Sequence, residues 1–144
     1  MDRLTGALPT LAGADADTGV ADAVLHEVSR MLDALVRDPE FADAVDLHSL
    51  PLADTDRERL RQRFGSGEVE AVLDLVGPTR ITETAYAGVW WVRHADAGDR
   101  TVLEQIVVAR VPVLLHAHPV DIADAARRLG AELDATTRQE TVDE

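Results

Sequence analysis

The chain has 144 residues, 46% of them hydrophobic, with 27 acidic residues against 14 basic ones and a net charge of −13. That length suits one ordinary domain, and that hydrophobic share excludes an intrinsically disordered composition. The chain contains no cysteine, which excludes disulfides, thiolate catalysis and Cys-ligated zinc or iron–sulfur centres.

All fourteen basic residues are arginine. The acidic balance argues against general binding to nucleic-acid phosphates, which needs clustered cations. It favours solubility and attraction to a basic partner. No apolar run approaches the ~20 residues of a membrane span, and the lack of cysteine fits a cytoplasmic protein.

In chain order, residues 1–17 read as a disordered leader. Asp17 or Thr18 is placed to cap a helix through its side-chain oxygen. Val20, Val24, Val28, Met31 and Leu35 then recur at helical spacing, with Leu25, Leu32 and Val36 widening the stripe, until Pro39 ends the helix. A shorter helix follows "LHSLPL", with Asp54 as its cap, Leu60 and Phe64 facing inward and Gly65 as its stop. The period then changes to two. "EVEAVLDLV" sets Val69, Ala71, Leu73 and Leu75 on one face of a strand, and Gly77–Pro78 predicts a turn. Ile81–Thr84 and Val89–His94 read as two further strands, and Asp96–Asp99 as a hairpin loop. "TVLEQIVVARV" reads as a fourth, with Val102, Ile106 and Val108 sharing a face. Pro112 ends the sheet, and "PVLLHA" predicts one helical turn. Pro119 opens a last helix carrying Ile122, Ala126 and Leu129, with Gly130 near its end. Residues 134–144 read as a flexible acidic tail. The expectation is one α+β domain over residues 18–133, an antiparallel four-stranded meander with helices packed on one face, in the order ααββββα.

Few constellations carry chemistry. His116 and His118, with Asp121 nearby, have the only spacing that suggests metal ligation, and nickel or zinc would be the metal. The competing reading makes His118 a helix cap. "FGSGE" lacks the pattern of a nucleophile elbow or a phosphate loop. "RERLRQR" puts Arg57 and Arg61 on one helical face, read as a solvated face with ion pairs to Asp54 or Glu58. Both tryptophans and the only tyrosine fall within Tyr86–Trp91 in a chain that is 3% aromatic. Trp90 and Trp91 are adjacent on a strand, so they point to opposite faces. One joins the core, and the other is either a binding anchor or a shielded ring.

The segments "GEVEAVLDLVGPTRITETAYAGVWWVRH" and "VLEQIVVARVPVLLHAHPVDI" resemble the C-terminal domain of the HupH/HyaF family of [NiFe]-hydrogenase expression/formation proteins. "VDLHSLPLADTDRERLRQRFGSGEV" resembles the segment that precedes them in the family. The likeness runs from about Val45 to about Leu129, and its specific parts are Leu50–Pro51–Leu52, Gly67–Glu68–Val69, Glu83–Thr84 and Gly88–Val89–Trp90. The resemblance implies no enzyme, and the residues show no cofactor fingerprint. It implies an accessory protein or chaperone of hydrogenase maturation, whose partners are a hydrogenase subunit precursor, chiefly the small subunit, and other maturation factors. Many members carry the domain twice, so a homodimer is compatible with the single copy here. The partner-binding residues expected on this footing are Arg80, Glu83, Thr84, Tyr86, Trp90 and Trp91, with the Arg80–His94 strand pair offering an edge or a face to a client strand. Two other readings stand beside it: a nickel-handling accessory protein using His116 and His118, and a small structural or oligomerisation domain.

Overall fold

The computed structural model describes residues 18–143, which fall into two units, residues 18–112 and 113–143. The first unit holds α1 (Val20–Arg37), β1 (Ala42–Asp46), α2 (Asp54–Phe64), β2 (Glu70–Leu75), β3 (Gly77–Glu83), β4 (Val89–Ala95) and β5 (Thr101–Ala109). The second holds a 3-10 turn (Val113–Leu115) and α3 (Pro119–Asp143). The α+β class and the antiparallel sheet are as expected, but the sheet has five strands. Strand β1 lies between the first two helices and pairs with β5, giving the spatial order β1-β5-β4-β3-β2 with every pair antiparallel.

α1 buries Ala21, Val24, Val28 and Met31, the helical stripe read from the sequence. Val36, also placed on that stripe, is exposed, because it lies about 100° round the helix from Leu35, which packs against the core in the same turn. Gly19 occupies the cap position, and the Thr18 hydroxyl accepts from Val20 N at 3.2 Å. Asp17 lies outside the described residues, as does the leader. α2 begins one residue earlier than Asp54 would set it. Ala53 is its cap, and Asp56 takes the Ala53 amide at 3.0 Å.

Core and sheet meet on one face. Val89, Ile106 and Val108 pack with the α1 stripe, Leu47, Leu60 and Phe64, and Trp91 lies at the margin of this cluster. The opposite face also buries side chains: Ile81, Val92, Thr79 and Trp90. The β2–β3 turn centres on exposed Val76, since Leu75 already pairs with Gly77. Gly77, at φ +87°, takes part in that turn as it opens β3, and Pro78 follows within the strand.

In the second unit, α3 runs through Gly130 to Asp143 and takes in residues 134–143. An interior glycine costs a helix only about 1 kcal/mol, and good helix formers flank it. None of its residues is buried, and Ile122 and Leu129 are 55% and 58% exposed. A helical stripe marks a face able to bury surface; it does not supply a partner for it. Among the described residues, no helix is long and apolar enough to cross a membrane.

Candidate interaction site

Three of the five aromatic side chains form a row. Phe64, the last residue of α2, is buried, with its ring edge-on to Tyr86 (centroids 6.5 Å apart, 86° between planes) and to Trp91 (6.2 Å, 79°). Edge-to-face packing matches the positive rim of one ring to the negative face of the next. Local sequence fixes all three. Gly65 stops the helix at Phe64, returning its N–H to Arg61 O at 2.9 Å. Ala85 N donates to Phe64 O at 2.7 Å, which ties the β3–β4 turn to the helix end.

Within that turn the Thr84 hydroxyl accepts from Tyr86 N at 3.1 Å and donates to Tyr86 O at 3.2 Å. Thr84 is buried, and Tyr86, the residue it holds, is 45% exposed. The linker before β2 is clamped to the same turn. Gly67 N donates to Glu83 O at 2.7 Å, and a Cβ at Gly67 would come within 2.5 Å of Thr84 O. Gly88, at φ +86°, opens β4 in a conformation that side chains rarely adopt.

Two grooves border the row. One, of about 280 Å³, is lined by Leu25, Val28, Leu32, Phe64, Tyr86 and Val89, with Ser29 and Arg63 at its polar side. The other, of about 270 Å³, is lined by Trp91 with Arg61, Arg80 and Arg93, and by Gly65, Ser66, Thr82 and Glu104. The Arg61 guanidinium lies 5.9 Å from the centre of the Trp91 ring, within cation–π range. Glu104 is buried on the floor of this groove. It accepts from Trp91 Nε1 at 2.9 Å and forms a close ion pair with Arg57. That pair spans the α2–sheet contact and replaces the local partners expected for Arg57.

The structure divides the six residues expected to bind a partner. Arg80 and Trp91 share the arginine-lined groove, and Tyr86 lines the apolar one. Glu83 serves the Gly67 clamp through its backbone, and Thr84 holds the turn. Trp90 is on the other face, 6% exposed, with Nε1 donating to Ala109 O at 3.1 Å. β3 and β4 each have a neighbour on both sides, so Arg80–His94 offers a face and no edge. The sequence marked Arg61 as part of a solvated helical face and Phe64 as inward-facing, and it did not mark Arg93 or Glu104. Arg93 and Trp91 do share strand parity, and Arg61 lies one helical turn after Arg57, but the joining of helix to strand is a tertiary event. Among the described residues, no three His, Asp or Glu side chains gather to hold a metal ion. His118 Nδ1 instead accepts from Val120 N at 3.1 Å, capping α3.

A family model described as the C-terminal conserved region of the HupH hydrogenase expression protein matches residues 19–136. The chain is 37% identical over 103 residues to the hydrogenase expression/formation protein HoxQ of Azotobacter vinelandii, covering 69% of this chain and 36% of that protein. It is 30% identical over 97 residues to the hydrogenase-1 operon protein HyaF of Escherichia coli K12, covering 67% and 34%. The chain thus spans about a third of the length of these curated relatives. A solved structure of the hydrogenase expression protein HupH from Thiobacillus denitrificans superposes with a TM-score of 0.76 at 36% identity, covering 83% of this chain and 99% of that one.

Proposed function

The chain belongs to the HupH hydrogenase expression protein family through its C-terminal conserved region, and from that premise we propose that it is a non-catalytic accessory factor of [NiFe]-hydrogenase maturation. It binds a hydrogenase subunit precursor, the small subunit, during assembly in the cytoplasm. The observation that carries this reading is the Tyr86–Phe64–Trp91 row between two open grooves. Aromatic rings offer large contact area at low conformational cost, and they anchor protein–protein contacts. Tyr86 and Trp91 are the members of the row with surface to give, and Phe64 braces both from below.

The test is co-purification of the small-subunit precursor with the full chain and with Tyr86→Ala, Trp91→Ala and the double variant. Capture is expected to fall at least tenfold in the double variant, which corresponds to about 1.4 kcal/mol. Full capture by a variant whose circular dichroism matches the parent would reject the row as the docking site.

A further inference from the structure

We propose that the groove beside Trp91 is a carboxylate site, which takes an acidic segment of the client: an Asp or Glu side chain set next to an apolar one. Arg61 of α2, Arg80 of β3 and Arg93 of β4 converge on this groove in a chain whose net charge is −13. Arg80 stands directly opposite Arg93 in the β3–β4 register. Like charges at such a position destabilise a strand pair, a cost only partly offset by Glu104, which stands opposite Arg93 in the β4–β5 register. The local counter-charges fall short. Arg80 has Glu70 at 2.8 Å in a solvent-exposed pair, and Arg61 reaches Glu58 only at 3.9 Å. Arg93 Nε donates to the neutral Thr101 hydroxyl at 2.7 Å and has no carboxylate partner among the described residues. Glu104 is the one carboxylate lining the groove, and Arg57 and the Trp91 indole already occupy it.

A guanidinium presents two parallel N–H donors that match a carboxylate. The Trp91 ring between the arginines supplies the apolar surface for the neighbouring side chain. A polyphosphate or nucleic acid is the poorer occupant. The acidic surface of the whole molecule repels a polyanion, whereas a single carboxylate needs only the local field.

The proposal rests on the reading that the aromatic row is where the client docks, and it fixes the chemistry of one half of that dock. The test is isothermal titration of the full chain with an acetylated, amidated peptide, Gly-Leu-Glu-Leu-Glu-Gly, and its Glu→Gln twin. The acidic peptide is expected to bind, and its twin at least tenfold more weakly. Arg93→Ala and Arg80→Ala are each expected to weaken binding at least tenfold, with Arg93→Lys in between. Both arginines are exposed, so these variants should fold, and circular dichroism checks it. Arg37→Ala, at the end of α1, should change nothing. Equal binding of the two peptides, indifference to both arginine substitutions, or displacement of the peptide by 1 mM inorganic phosphate would each overturn the proposal. A peptide that binds while the precursor is never captured rejects the precursor-binding reading alone. Capture of the precursor without peptide binding rejects the carboxylate site alone.

Discussion

The carboxylate of Asp56 is fully buried, and its Oδ2 accepts from the Thr18 hydroxyl at 2.7 Å and from the Ala53 amide. Those hydrogen bonds, Thr18's first, favour the charged form and hold the group below the usual carboxylate range against the opposing effect of burial. A carboxylate with a depressed folded pKa stabilises the fold above its unfolded pKa of about 3.9, and loses that contribution as pH falls through the folded value. Thr18→Ala is therefore expected to cost about 1.5 kcal/mol at pH 7. Its deficit should shrink in thermal melts as the pH is carried below the unfolded carboxylate's pKa and through the lower folded one. This contact links residues 38 apart in sequence, so only the cap role of Thr18 could be read beforehand. The tryptophans show the same limit. Alternation placed them on opposite faces, but it did not say that both would be largely covered or that Trp91 would keep the accessible surface.

Among the elements, the β2–β5 meander was legible because its strands alternate or end in turn residues. β1 was not. Its sequence ADAVD is mostly exposed in the structure, with only Val45 partly buried, so no apolar alternation announces it. Its pairing with β5 comes from an edge being available and not from its own pattern. Glu104 was hidden for the opposite reason: it has core-face parity but the wrong chemistry, and its partner Arg57 lies on α2. The clamp between the α2–β2 linker and the β3–β4 turn was visible only as a glycine. Gly67→Ala would drive a Cβ into the Thr84 carbonyl. It is expected to lower stability by about 1–3 kcal/mol, read as a shift in the urea midpoint, and to weaken precursor capture by loosening the turn that carries Tyr86.

Over the whole molecule, charge is arranged at two ranges. The net −13 acts at a distance, and the arginine groove acts at contact. If the client presents a basic segment alongside its acidic one, the two ranges cooperate: the acidic surface hastens encounter, and the groove fixes register. The association rate with the precursor is then expected to fall at least tenfold between about 50 and 500 mM salt, measured by stopped flow. A salt-independent rate would remove long-range attraction from the mechanism. The sheet order carries one more consequence. β1 is made early, yet its neighbour β5 is the last strand of the sheet, and Val45 waits for Ile106. The α1 stripe waits as well, because it packs on Val89, Ile106 and Val108. Contacts of such long sequence separation form late and slowly. On the ribosome, the first helix and strand therefore emerge with only each other and α2 to pack against until Ala109 has cleared the exit tunnel. A chain of this design must itself be kept from aggregating until its final strand arrives.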